Sequence, residues 1–371
     1  MNFNVTPFEG KLQNIESIVI FSPTFIDGQG GIERFVAGHI EELSKTKKYI
    51  IFAVFFDGIL KIDDGFIKTV KRYDRKHFYL HFFKYSRKGE WVIVHDPHLY
   101  KILLPVWFFS LNGMRRHLSL FTHGLFFHTN DYWPIKKLVF FFMKYLCFLA
   151  NSIFTAGYAD YKALSTLSHI NLCLLGNGID DFNYVDSVKT SKRSFRFVCI
   201  GRDSPNKKLA DAIRVYNDII TQTFNQCELL IISPNLTQGT QELIKHSRKI
   251  KVVEGADDAK VSELLASCDV LLSASVFEGF GRTIVEAGLR GVIPFVNQNE
   301  GHSFISSKVE NMFVVNWSNS VSLSVSILEL AEILNSKTYG SYVNKLRQQC
   351  EYFLWSNIAR QIDEKIGFEA G

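Results

Sequence analysis

The chain has 371 residues, 47% hydrophobic and 21% charged, with a formal net charge of +5. That is enough length and apolar content for two domains with sizeable cores. Its six scattered cysteines, without a CxxC or a Cys/His cluster at zinc spacing, exclude a zinc-finger class and read as reduced, buried thiols of a cytoplasmic protein. No basic-then-apolar leader precedes Ile18–Phe21, and no run reaches about 18 uncharged apolar residues, so neither a signal segment nor a transmembrane helix is expected.

In chain order, short apolar runs alternate with longer amphipathic ones, the pattern of parallel α/β sheets. Strands are predicted at Ser17–Pro23, Tyr49–Phe56, Trp91–His95, Leu118–Thr122, Ile153–Ala156 and Asn171–Leu175. Helices are predicted at Gly31–Ser44, Pro134–Leu149 and Tyr158–Leu167. The polar stretch Asp180–Ser194 reads as a linker. The pattern then restarts, with strands at Phe195–Ile200, Glu228–Ser233, Lys251–Glu254, Asp269–Ser273, Val292–Val296 and Met312–Asn316. Helices follow at Lys207–Gln222, Ala259–Ala266, Thr283–Arg290 and Val321–Leu334. A last amphipathic helix is expected over Tyr339–Ile366. Two doubly wound halves would bind ligand at the carboxyl ends of their strands.

Charge is uneven. Residues 1–180 hold 21 Lys/Arg against 15 Asp/Glu, and residues 181–371 hold 21 against 22. Lys68, Lys71, Arg72, Arg75, Lys76, Lys84, Arg87 and Lys88 stand against Asp74 alone, interleaved with Tyr73, Phe78, Tyr79, Phe82, Phe83 and Tyr85. Trp107–Phe109 with Arg115 and Arg116, and Trp133–Leu146, repeat the mix of aromatics and basic groups. Such a face is either a solvated surface or one suited to anionic headgroups. Nucleic acid is not expected, because no recognition motif accompanies the charge.

Four constellations carry chemistry. Ser275–Ala287 joins a buried strand to a helix through a Gly-rich turn, with Glu278 in the loop and Glu286 eight residues on. Backbone N–H groups of such a turn suit phosphate, and the carboxylates suit sugar hydroxyls and a ribose diol. Gly201–Lys208 follows a strand, and its Arg202 and Lys207 could flank a diphosphate. Gly28–Arg34 is a second Gly-rich turn that opens a helix. Thr122–Thr129 places His123 and His128 after another strand, with His95 and His98 after a third. A metal held by these histidines would need geometry that spacing does not supply. No Asp-x-Asp motif for Mg²⁺ or Mn²⁺, no Walker A, no GxSxG and no HExxH occurs. A metal-independent site is therefore expected, with the Arg/Lys pair in the metal's place.

Over nearly its whole length the chain resembles the retaining glycosyltransferases of family 4, which have the GT-B fold. The resemblance rests on GGIE at 30–33, GR at 201–202 with Lys207, FEGFG at 277–281 with Glu286, and FLWSNIARQI at 353–362. THGLFFHT at 122–129 is similar to bacterial exopolysaccharide mannosyltransferases that act on polyprenyl-diphosphate-linked sugars. The resemblance implies two Rossmann-like domains facing a central cleft. Residues 1–180 would take the acceptor and 181–351 the nucleotide sugar, with a C-terminal helix at about 352–371 packing back on the first domain. By resemblance Gly30 and Gly31 approach the donor diphosphate, His123 contacts the transferred sugar, and Arg202 and Lys207 hold the diphosphate. Glu278 binds sugar hydroxyls and Glu286 the ribose, while Phe280, Gly281, Arg282 and Thr283 complete the donor site. Arg282 and Thr283 depart from the small or apolar residue and proline common in the family, and Lys208 stands where a glycine is common.

The resemblance implies a retaining hexosyltransferase, and the missing Asp-x-Asp adds that it would work without metal or other cofactor. Its donor would be a nucleotide sugar, GDP-mannose first and a UDP-hexose second. Its acceptor would be a lipid-linked or saccharide precursor of bacterial surface polysaccharide, met in the cytoplasm at the inner face of the plasma membrane. A sugar-nucleotide epimerase of the same fold and a non-catalytic nucleotide-sugar sensor are the rival readings.

Overall fold

The computed structural model describes residues 16–25, 31–45, 49–58, 67–70, 91–95, 118–123, 150, 152–166, 171–180, 194–245, 247 and 249–367. These cluster into two compact units. The first takes the described residues up to 123 together with 150, 152–154, 166 and 171–173; the second takes 155–165 and 174–367. The predicted helix Pro134–Leu149, most of the basic aromatic stretches and all but the ends of the predicted linker lie outside the described residues.

The first sheet contains β1 (Glu16–Phe25), β2 (Tyr49–Gly58), β3 (Ile67–Val70), β4 (Trp91–His95), β5 (Leu118–Thr122), β6 (Ser152–Thr155) and β7 (Asn171–Leu174). Their order is β3-β2-β1-β4-β5-β6-β7, and every pairing described among them is parallel. Helix α1 (Gly31–Lys45) follows β1. It buries Phe35, Val36, Ile40 and Leu43, while Ile18, Ile20, Ile51, Ile93, Leu120 and Ile153 fill the sheet side of the core. Helix α2 (Tyr158–Leu164) comes after β6 and clusters with the second unit.

The second sheet contains β8 (Phe195–Ile200), β9 (Cys227–Ser233), β10 (Ile250–Glu254), β11 (Val270–Ser273), β12 (Ile293–Asn297) and β13 (Phe313–Val315). The order β10-β9-β8-β11-β12-β13 is that of a doubly wound sheet whose winding reverses between its first and fourth strands. The central strands are apolar on both faces because helices cover both. Those helices are α3 (Leu209–Val215, continuing through a π-helical turn at Tyr216–Ile220), α4 (Gln238–Ile244), α5 (Asp258–Ala266), α6 (Arg282–Leu289), α7 (Glu300–Ser306), α8 (Ser320–Asn335) and α9 (Tyr339–Cys350). A Cβ on Gly288 would meet Cys350 Sγ at 2.4 Å, so only glycine lets α6 lie this close to α9. Each large side chain sealed in this core contributes about 1.5–3 kcal/mol.

The predicted single helix Tyr339–Ile366 is in fact broken. α9 ends at Cys350, a 3₁₀ turn covers Glu351–Phe353, and α10 (Trp355–Gly367) begins afresh. The cause is tertiary. Ile179 N donates to Phe353 O at 2.8 Å and Trp355 N donates to Ile179 O at 3.1 Å, which draws Leu354 into an extended bridge. Ile179 belongs to the same unit as α10.

Candidate functional site

The reversal point of the second sheet lies between β8 and β11, and the loops leaving those two strands carry the predicted donor residues. After β8 come Gly201, Arg202 and Lys207; after β11 come Ser275, Glu278 and Gly281. Val276 N donates to Asn206 O at 3.0 Å and fastens the loops together. Lys207 Nζ then donates to Glu278 Oε1 at 2.5 Å. Both groups are partly shielded, with 36% and 16% of their side chains exposed. Arg202 is exposed and lines the same shallow crevice as Gly201, Lys207, Ser273 and Ser275.

Two helices begin from these two loops, and neither has a side-chain cap. α3 starts from Lys208, a non-glycine residue held at φ 50, and α6 starts from Gly281 at φ 99. By contrast α4, α5, α7 and α8 are capped by Thr237, Asp257, Asn299 and Asn319. The first N–H groups of α3 and α6 therefore lack a side-chain acceptor at the place where an anion would sit. The left-handed backbone of Lys208, costing about 1–2 kcal/mol in a residue with a Cβ, explains physically why glycine suits that position.

Glu278 is placed by a close backbone approach. A Cβ on Gly301 would fall 2.4 Å from Glu278 O and 3.1 Å from its Cβ, so α7 abuts the Glu278 loop only because residue 301 is glycine. Next to it is His302, fully buried, whose Nδ1 donates to Asn297 O at 2.6 Å. Burial, chiefly, lowers its pKa; Lys207 lowers it further, and the Asn297 bond and Glu278 oppose the shift. That leaves a neutral ring whose Nε2 has no partner among the described residues. Nothing in the sequence reading singles out His302. The polar run Asn297–Gln298–Asn299 after a buried strand, followed by Gly301, is the signal that would have pointed to it.

The other predicted residues have different surroundings. Glu286 lies one turn into α6, with its side chain 23% exposed and Oε1 3.5 Å from Arg282 Nη2. Arg282 Nη1 donates to Gly178 O at 3.0 Å, so this guanidinium is occupied within the protein. The Phe280 ring is in the core, 4% exposed and 5.1 Å from the Phe353 ring, which leaves only its backbone to face a ligand. Thr283 is partly exposed on the first turn of α6. A separate cleft of about 560 Å³, lined by Tyr158, Lys162, Glu300, Ser303 and Phe304 among others, contains none of the predicted donor residues. The chemistry therefore favours the smaller crevice despite its size.

In the first unit, His123 stands just past β5 and His95 ends β4. His95 Nδ1 is 3.1 Å from His123 Nε2, and His95 Nε2 is 3.3 Å from Nδ1 of His39 on α1. Burial pushes His39 and His123 down to about 3 and His95 well below the usual range, so all three are neutral near pH 7. Gly31 opens α1, while Gly30, His98 and His128 lie outside the described residues. Among the described residues no group of three or more His, Cys, Asp or Glu is arranged to hold a metal. No helix among them is long and apolar enough to cross a membrane.

The chain is similar to known proteins in sequence and in fold. Residues 181–347 match the model of the family described as Glycosyl transferases group 1. A GDP-mannose:cellobiosyl-diphosphopolyprenol alpha-mannosyltransferase of Komagataeibacter xylinus is 23% identical over 192 residues, 49% of this chain and 48% of that protein. The chain thus spans about half the length of the curated relative it matches. A glycosyltransferase structure from Rickettsia africae superposes with a TM-score of 0.70 at 14% identity, covering 96% of this chain and 99% of that one. Anabaena HepE in complex with UDP and glucose does so with 0.62 at 16% identity, covering 95% and 100%. At these identities the structural likeness shows the fold. Residues 181–347 are therefore similar to a Glycosyl transferases group 1 domain, in a chain with the two-sheet GT-B architecture.

Proposed function

We propose that the protein is a retaining, metal-independent glycosyltransferase that moves mannose from GDP-mannose to a lipid-linked or saccharide acceptor. The observation that carries this reading is the Lys207–Glu278 pair, set beside Arg202 and two uncapped helices at the reversal point of the second sheet. Arg202 and Lys207 hold the donor diphosphate and stabilise the charge that gathers on it as it leaves. Glu278 accepts from the sugar hydroxyls and Glu286 from the ribose diol. His123 is assigned to the transferred sugar, and Gly30 and Gly31 to the diphosphate, on their sequence motifs alone.

Departure of the nucleoside diphosphate leaves oxocarbenium character on the sugar. The acceptor hydroxyl attacks from the same face, and a departing phosphate oxygen takes its proton. No protein carboxylate is needed as nucleophile. The mannose preference draws support from the THGLFFHT segment and from the Komagataeibacter relative's name. An acceptor at the inner face of the membrane draws support from the relative's diphosphopolyprenol acceptor and from the basic excess in residues 1–180.

The test is release of nucleoside diphosphate from a panel of GDP-mannose, UDP-glucose and UDP-N-acetylglucosamine, with and without EDTA. GDP should appear from GDP-mannose in both conditions. Loss on chelation with rescue by Mg²⁺ or Mn²⁺ would contradict metal independence, and preference for a UDP donor would contradict the mannose assignment.

A further inference from the structure

His39, His95 and His123 come from a helix and two strand ends, yet their rings form one continuous series. The two nitrogen–nitrogen separations, 3.3 Å and 3.1 Å, are both of hydrogen-bond length. His39 and His95 are fully buried, and His123, at the end of the series, is partly exposed. Aromatic rings lock the series: Phe121 stacks on His95 at 4.3 Å between centroids, and Phe35 meets His123 edge-on at 4.7 Å. At the buried end, His39 Nε2 has no hydrogen-bond partner among the described residues.

Three neutral imidazoles joined by two N–H···N bonds can hold their protons in only two concerted ways. Either every ring is protonated on Nδ1, or every ring is protonated on Nε2. In the second arrangement His39 buries an N–H with no acceptor; in the first it buries a lone pair with no donor. Orphaned buried N–H groups are the rarer of the two. The first arrangement is therefore favoured, and in it His123 turns Nδ1–H outward.

We infer that His39 and His95 are positioning residues that fix the tautomer of His123, so that it presents a hydrogen-bond donor to a hydroxyl or ring oxygen of the transferred sugar. No proton is consumed or released, since each ring keeps one. The sugar contact rests on the function proposed above, while the shared proton arrangement stands on the geometry alone. Neither His39 nor the linkage is visible in the sequence, where the partners are 56 and 28 residues apart.

Nitrogen-15 spectra of the histidine-labelled full chain at neutral pH test it without any ligand. All three rings should be neutral and protonated on Nδ1, with scalar coupling across both hydrogen bonds. A proton on His123 Nε2, or absence of coupling between His95 and His123, overturns the inference. Turnover of GDP-mannose by His95→Leu and His95→Gln then tests the consequence. The leucine removes the donor to His123 and should lower kcat roughly tenfold with little change in KM, the size of one lost hydrogen bond. The glutamine keeps an N–H in reach and should recover most of the rate. Equal losses in both variants would contradict a positioning role. Full turnover by the leucine variant, with the couplings intact in the parent, would leave the proton arrangement standing and remove His123 from contact with the sugar.

Discussion

Lys207 Nζ lies 2.5 Å from Glu278 Oε1, although 71 residues separate them in the chain. The cation expected to hold the diphosphate and the carboxylate expected to hold the sugar are thus one ion pair. Lys207→Ala should lower turnover by on the order of 10²-fold, as loss of a preorganised charge contact does. Because the two act together, Lys207→Ala with Glu278→Gln should cost less than the sum of the single changes. Kinetics of the four proteins check this; a folded Lys207→Ala variant within a few-fold of the parent would remove the clamp.

Gly301→Ala should disturb Glu278 from a distance. The new methyl would fall 2.4 Å from Glu278 O, so backbone must move, at a cost of about 1–3 kcal/mol. Gly279→Ala is the control, since its methyl would meet nothing within 4 Å. Thermal unfolding should show a lower midpoint for the first variant alone, and equal midpoints would contradict the close-approach account.

Histidine burial predicts a pH dependence of stability. His39 and His123 titrate at about 3 in the folded chain, against an ordinary value of 6.5. Between those values the unfolded state binds more protons than the folded one, so stability is full above about pH 6.5 and is lost as pH falls toward 3. Unfolding midpoints measured from pH 7 to pH 4 should drop, and drop less in His39→Leu. A midpoint unchanged across that range would show that these rings are not buried neutral.

The basic excess of residues 1–180 predicts binding to anionic vesicles that weakens with salt, because exposed charges are screened over about 8 Å at physiological ionic strength. Co-sedimentation at two salt concentrations checks it. Equal indifference to anionic and neutral vesicles at low salt would remove the membrane from the account.

What the sequence revealed follows from what is local. Trp91–His95 and Leu118–Thr122 have their predicted bounds because buried parallel strands are short apolar runs with polar ends. The short helices Gln238–Ile244 and Glu300–Ser306 escaped notice, being polar and only two turns long. So did β3, four residues whose identity depends on pairing with β2. The break at Leu354 is set by Ile179, some 175 residues upstream. In the site, the Glu278 and Glu286 pair was legible because both lie on one strand–turn–helix unit. The Lys207–Glu278 bond, the buried ring of Phe280, the contacts of Arg282 with Gly178 and the whole of His302 were not, since each depends on how separate loops meet.

A nucleotide sugar is expected to bind where β8 and β11 end. Calorimetric titration with GDP-mannose, UDP-glucose and UDP-N-acetylglucosamine, run in parallel on the parent and on Lys207→Ala, tests this most directly. GDP-mannose should bind the parent and bind Lys207→Ala at least tenfold more weakly, about 1.4 kcal/mol of lost affinity. No binding of any of the three donors to the parent, or equal binding to the parent and the variant, would contradict it.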